Sequence, residues 1–157
     1  MTQTWRHLPA AARPIAAATV EAVEAARAHD VEAVDKAAVE LGALDAAQVG
    51  LILGTTVRVL LERTHPDGVD GDDVRAVLER CTRTSAAWHP EVDPHVLLIL
   101  LAGALGVHDD DETAPRPSPE TLARHSALLL ADLAPGADLT PHLNAALAEI
   151  ERAQLND

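Results

Sequence analysis

The chain has 157 residues, of which 48% are apolar, and a formal net charge of −13. Its length indicates one folded domain, and its negative charge disfavours binding to nucleic acid or to anionic membrane surfaces, because phosphate groups repel it. The single cysteine, Cys81, excludes an internal disulfide and a cysteine-based zinc motif. The N-terminal residues also lack the basic segment and apolar run of a signal peptide. We therefore expect a cytoplasmic protein.

Apolar residues recur at helical spacing through most of the chain, and no stretch shows the sustained alternation of a strand. The first helix is expected to begin near Pro14. Asp30 is placed to cap a second helix that stops near Gly42, and Asp45 to cap a third. The third helix is apolar on all sides through its middle.

The turn-rich segment THPDGVDGDD precedes a fourth helix, for which Asp72 is the expected cap. Ser118 and Thr140, each followed by proline, are expected to begin the last two helices. The segment 108–117, HDDDETAPRP, is predicted to be an exposed acidic loop, because neighbouring carboxylates resist burial and proline blocks a helix. The sequence thus predicts one all-α domain over residues 1–157, with about seven helices.

A long apolar run lies in the segment 93–107, DPHVLLILLAGALGV. Its twelve consecutive residues from Val96 to Val107 carry no polar side chain. Asp93 is a favourable cap, and Pro94 suits the first helical position. The run is too short for a bilayer, which needs about 20 residues. A helix that is apolar all round should lie inside the fold. We therefore expect this helix at the centre, with Leu97–Leu101 inaccessible.

A weak internal repeat is also suggested. Asp45 and Asp93 each open an apolar helix, and in each case an acidic loop and an amphipathic helix follow, beginning near Asp72 and Ser118. The offsets are 48 residues (45 to 93) and 46 residues (72 to 118). Helical repeats of about 40–47 residues have this period. The chain could accordingly consist of two loosely repeated helical halves.

Two segments carry residue types that bind metals. The segment HPEVDPH contains His89, Glu91, Asp93 and His95, but a zinc site needs three or four convergent ligands. A cap role for Asp93, and a cationic His89 beside a helix C-terminus, are the competing interpretations, and we favour them.

The second segment contains four aspartates, Asp67, Asp70, Asp72 and Asp73. A calcium loop of the EF-hand type needs acidic residues at positions 1, 3 and 5, glycine at 6 and glutamate at 12. Counted from Asp70, Val74 falls at position 5, Arg75 at 6 and Cys81 at 12. A solvated turn followed by a helix cap is therefore the preferred interpretation.

Two His–Asp dipeptides, at 29–30 and 108–109, resemble the dyad of the all-helical HD phosphohydrolases. The resemblance implies a metal site completed by another histidine and aspartate, for which His65 or His89 and Asp132 are candidates. His108 and Asp109 run directly into an acidic, proline-containing loop, which would hold metal ligands poorly.

The remaining candidates favour structural roles. Cys81 has apolar helical neighbours and is expected to be a buried thiol, and His125 is expected to be a hydrogen-bonded core residue. The chain contains no glycine-rich phosphate loop, GxSxG, HExxH or Walker motif. We therefore assign no catalytic, cofactor-binding or metal-binding residue, and no cofactor.

These observations favour a non-catalytic helical module that binds proteins and self-associates as a homodimer. Apolar stripes on the helices at 15–26 and 141–155 are the surfaces expected to pair, because two-fold pairing is the commonest way to cover such a face. An unidentified protein partner is also expected. A metal-dependent hydrolase of the HD type, or a small-ligand binder with a pocket between helices, is the alternative.

Overall fold

The computed structural model describes residues 8–107, 116–136 and 138–155. Within these ranges the chain is all-α and contains no strand, as the sequence predicts. The seven helices are α1 (Ala12–Arg27), α2 (Val31–Gly42), α3 (Ala46–Thr64), α4 (Gly71–Ala86), α5 (Pro94–Ala104), α6 (Pro119–Leu133) and α7 (Thr140–Leu155). None of the helices in the described ranges combines the length and the apolar character that a membrane span requires.

Side-chain caps begin most of these helices where the sequence indicates. Asp30, Asp45, Asp93 and Ser118 each accept a hydrogen bond from a backbone N–H in the first turn of α2, α3, α5 and α6. Each cap therefore satisfies one of the donors that a helix start leaves unpaired.

The cap of α4 is Asp70, and the prediction of Asp72 is wrong. The Asp70 side chain accepts from the Asp73 N–H at 2.9 Å, and the Asp73 side chain accepts from the Asp70 N–H at 3.0 Å. This reciprocal capping box satisfies two backbone donors, whereas a cap at Asp72 has no such partner. Asp72 lies in the first turn instead.

The centre of the fold is α6, which packs against α1, α2, α3, α4 and α5. All residues from Ala123 to Leu130 are buried, including three polar ones. The approach of α2 is close because Gly42 has no side chain: a Cβ there would lie 3.1 Å from the backbone nitrogen of Glu120. α6 is thus surrounded on most sides, although its sequence is more polar than that of α5.

α5 lies at the edge of this arrangement, and the prediction that it is central is wrong. Only Val96, Leu97 and Leu101 are buried, while the exposed fractions of Leu98 and Ile99 are 41% and 36%. The helix packs against α3, α4 and α6 through one side, and its other side is apolar but open. Apolar composition did not reveal its position, because folded proteins expose much apolar surface.

The stripe on α1 is not free to pair with a second molecule. Ile15, Ala22 and Val23 are buried, and α1 packs against α2 and α6. α7 lies against α3 and buries Leu143 and Ala146. The surface expected to mediate dimerisation is therefore largely used within the chain.

The two-half repeat is not confirmed. α3 has 19 residues and its proposed counterpart α5 has 11, while α4 buries three residues and α6 buries nine. The predicted acidic loop lies mostly outside the described residues, since only Arg116, which is exposed, and Pro117, which is half-buried, are described.

Candidate functional site

The segment HPEVDPH does not bring its four polar side chains together. His89 is buried and bonds to Asp35, whereas Glu91, Asp93 and His95 are exposed, and Asp93 caps α5. Within the described ranges no group of three or more His, Cys, Asp or Glu side chains is placed to hold a metal ion.

The acidic turn before α4 has the arrangement of a solvated turn and a cap. Asp70 and Asp73 form the capping box, and the Asp72 carboxylate lies 3.6 Å from Arg75 with 90% of its side chain exposed. Two of the four aspartates are therefore engaged with the helix start.

The residues that resemble the HD dyad are dispersed. Asp30 caps α2, and His29 stacks on Trp88. His65 contacts Asp73 at 3.7 Å, and Asp132 pairs with Arg80 at 3.0 Å. The second dipeptide, at 108–109, lies outside the described residues.

A buried polar network joins α2, the α4–α5 connection and α6. Asp35 Oδ1 accepts a hydrogen bond from Arg124 Nε at 2.8 Å and one from His89 Nε2 at 3.1 Å. Arg124 also donates to Glu120 at 3.0 Å, and its other amino nitrogen lies 3.8 Å from a Glu91 oxygen. The His89 side chain is 0% exposed and that of Arg124 is 10% exposed. One carboxylate therefore satisfies two buried donors.

The hydrogen bonds define the protonation of both buried imidazoles. His89 Nδ1 accepts from the Glu91 N–H at 3.1 Å, so the proton of a neutral ring is on Nε2, facing Asp35. His125 has the other tautomer, because its Nε2 accepts from the Asp93 N–H at 3.0 Å and its Nδ1 donates to a backbone carbonyl in α6. In this arrangement His89 links the backbone at Glu91 to the Asp35 carboxylate.

The environment shifts the pKa of two groups in this region. Burial alone would raise the pKa of Asp35, but the hydrogen bonds from His89 and Arg124 outweigh it and hold that pKa below the usual value. Burial lowers the pKa of His125, and the positive charge of Arg124 acts in the same direction. Both groups therefore favour the protonation state that the hydrogen bonds require.

The depressed pKa of His125 predicts a loss of stability as the pH falls below about 6.5, the usual histidine value. In that range the unfolded chain binds a proton that the folded chain excludes, so stability falls with decreasing pH. One such group contributes a slope of at most about 1.4 kcal/mol per pH unit. Urea unfolding at pH 7.5, 6.5 and 5.5 measures it.

We expect His125→Gln to reduce this slope and His95→Gln, at an exposed position, to leave it unchanged. Burial also lowers the pKa of His142, so this residue adds to the same pH dependence of stability. Both variants keep His142, and its contribution therefore does not affect the comparison. Equal slopes for the wild type and the His125 variant would contradict the interpretation.

Cys81 is buried as expected, and its thiol lies 3.8 Å from the Ser85 hydroxyl. Burial raises its pKa to about 12, and the nearby Asp132 carboxylate adds to the effect. The thiolate is the nucleophilic form, so this residue has the properties of a structural thiol.

Two neighbouring helices each leave an apolar stripe on the surface. We define the α3–α5 face as Gly50, Leu51 and Gly54 of α3 together with Leu98, Ile99 and Gly103 of α5. The leucine at position 51 is 43% exposed, and none of the six residues is charged or buried. α3 and α5 pack against each other. The apolar character of both helices is evident in the sequence, but their exposed positions differ from the expected burial in the core.

A cleft of about 500 Å³ opens between the C-terminal ends of α1, α4 and α6. Its lining includes two aromatic rings, His29 and Trp88, and three charged side chains, Arg27, Arg80 and Asp132. The His29 and Trp88 rings are stacked, with centroids 5.1 Å apart and planes 8° from parallel. These residues come from three separated segments, so no motif in the sequence indicates that they lie together.

No family model matches the chain, and no curated protein or solved structure matches it either.

Proposed function

We propose that this chain is a non-catalytic helical module that self-associates as a homodimer through the α3–α5 face and binds another protein in that form. The observation that carries the proposal is the exposure of Leu98 and Ile99 on a helix that has no acidic, lysine or arginine residue. We also propose a cytoplasmic location, which the composition of the chain favours.

The glycines of this face support close contact with another helix. A Cβ at Gly50, Gly54 or Gly103 would meet nothing within 4 Å, so packing within the chain does not require glycine at these positions. Glycine inside a helix is about 1 kcal/mol less favourable than alanine. Three such positions on one apolar face are explained if a partner's side chains occupy the space above them.

The second copy is the partner that fits this surface. Leu98 and Ile99 of α5 project, while Gly50 and Gly54 of α3 leave a shallow surface. Two-fold symmetry would place each projecting pair over the other copy's glycines, so the same contact forms twice. The net charge of −13 on each copy opposes any pairing through charged surface, whereas this face carries no charge.

The direct test is light scattering at micromolar concentration. We expect a mass twice the monomer value of 16.5 kDa, and we expect dimerisation to strengthen with added salt, which screens the repulsion between acidic copies. Leu98→Glu should raise the dimer dissociation constant by about tenfold or more. The substitution removes the apolar surface that each copy of Leu98 would bury in the dimer, and two-fold symmetry makes this loss occur twice.

Val39→Glu is the matched control, since Val39 is 53% exposed on α2, away from the face. Gly54→Ala distinguishes an effect on dimerisation from an effect on folding. Alanine should stabilise the helix by up to about 1 kcal/mol, whereas its methyl group should block the close approach of a second copy. A mass of 16.5 kDa at every concentration, or equal weakening by Val39→Glu, would refute the proposal.

A further inference from the structure

The cleft between the ends of α1, α4 and α6 has the size and lining of a small-ligand site. Its volume of about 500 Å³ lies within the range of about 300–1,000 Å³ that is usual for such sites. Ala26, Leu128 and Ala131 supply apolar lining, while the charged groups come from Arg27, Arg80 and Asp132.

The aromatic wall of the cleft is held by an unusual backbone conformation. His29 has φ 56°, and it follows α1 at the position where glycine is commonest. The N–H groups of His29 and Asp30 bond back to the carbonyls of Ala26 and Ala25, which closes the helix end. A side chain in this conformation costs about 1–2 kcal/mol. In return the histidine ring stacks on Trp88 at the cleft.

Arg27 supplies a positive charge with spare hydrogen-bonding capacity. Its Nη2 donates to the Ala134 carbonyl, but its Nε is buried and has no partner among the described residues. Arg27 also makes no ion pair within those residues, although the exposed Asp138 senses its charge. The Nε atom itself is not accessible to solvent, so a ligand in the cleft would contact the remaining part of this half-buried side chain.

Arg80 differs from Arg27 because its charge is already matched. It donates to Asp132 at 3.0 Å, and the Asp132 side chain is 9% exposed. Among the charged residues that line the cleft, Arg27 is thus the one that forms no ion pair with another described residue. A ligand with a single negative charge suits this balance, whereas a nucleotide, with several, does not.

We propose that this cleft binds a small aromatic carboxylate, with its carboxylate on Arg27 and its flat body against the stacked rings of Trp88 and His29. Arginine and carboxylate form strong charge-assisted hydrogen bonds, and offset stacking suits a planar body. This site is separate from the α3–α5 face and does not depend on self-association.

Naphthalene-2-carboxylate is the probe, and isothermal titration calorimetry with tryptophan fluorescence measures its binding. We expect saturable binding with one site per chain and a dissociation constant below about 1 mM. Naphthalene-2-carboxamide, which lacks the charge, and cyclohexanecarboxylate, which lacks the flat ring, should each bind at least about tenfold more weakly.

Arg27→Gln should weaken binding of the naphthoate by about tenfold or more without a similar effect on the amide. Arg75→Gln is the matched control, because Arg75 is 71% exposed on α4 and does not line the cleft. His29→Gly relieves the backbone conformation, so it should fold at least as well as the wild type while losing part of the affinity.

If Arg27→Gln does not fold, the affinity of the His29→Gly variant for the naphthoate still tests the proposal. Absence of saturable naphthoate binding at millimolar concentration, equal binding of the amide, or unchanged affinity in the folded His29→Gly variant would each overturn the proposal.

Discussion

Leu129→Ala should lower the free energy of unfolding by about 2–5 kcal/mol, the range for large-to-small substitutions in a packed core. Leu129 lies in α6 and is 0% exposed. Because α6 contacts five other helices, its neighbours cannot all move to fill the vacated space. The cost should therefore lie in the upper half of that range.

Chemical denaturation at submicromolar concentration measures this effect without a contribution from self-association. Leu98→Ala is the control, because 41% of Leu98 is exposed on α5, and we expect it to cost less than about 1 kcal/mol. If the two substitutions cost the same, or Leu98→Ala costs more, α6 is not the centre of the fold.

The second large effect is expected for Asp35→Ala, which should cost about 2–4 kcal/mol. Removing one partner of a buried ion pair typically costs about 3–5 kcal/mol, and the range is reduced here because 35% of the Asp35 side chain is exposed. The substitution leaves the buried His89 Nε2–H without its acceptor and removes the shortest contact of Arg124.

Glu32→Ala on the exposed side of α2 is the control and should change stability by less than about 0.5 kcal/mol. Asp35→Asn should recover part of the loss, since its amide oxygen still accepts one hydrogen bond. Urea unfolding at neutral pH measures all three variants. Equal stability of the Asp35→Ala and Glu32→Ala proteins would show that the network contributes nothing.

Local chemistry made much of the fold predictable. Asp30, Asp45, Asp93 and Ser118 mark helix starts because each has a side-chain oxygen that reaches a free backbone N–H. The number and order of helices follow from these caps and from helical periodicity. The cap of α4 was misplaced by two residues because several aspartates lie close together, and only the reciprocal bond with Asp73 distinguishes Asp70.

The arrangement of helices was less predictable, since it depends on contacts between distant segments. α5 has the more apolar sequence, yet α6 occupies the centre because its polar residues find partners: Arg124 bonds to Asp35, and Ser126 donates to the Leu122 carbonyl at 2.8 Å. A charge in the apolar run LARHSALLL was a usable sign of a buried ion pair. Nothing in the sequence around Asp35 identified its partner.

The candidate sites were likewise predictable where they depend on local sequence and unpredictable where they depend on contacts between distant segments. His125 and Cys81 were placed in the core correctly, because their helical neighbours are apolar. The cleft was not predicted, since the stacking of His29 on Trp88 depends on a turn after α1 in a conformation that histidine seldom adopts.

Cys81 is the single thiol of the chain, and its burial limits how the folded protein reacts with oxidants. Cys81 is 0% exposed and has a pKa of about 12, so at neutral pH the native chain presents almost no thiolate to peroxide, glutathione or electrophiles. The Cys81 thiol of the folded form is therefore protected from these reagents. Cys81 can be oxidised only in molecules that have unfolded enough to expose α4. Oxidised Cys81 in a sample would therefore show that those molecules had unfolded.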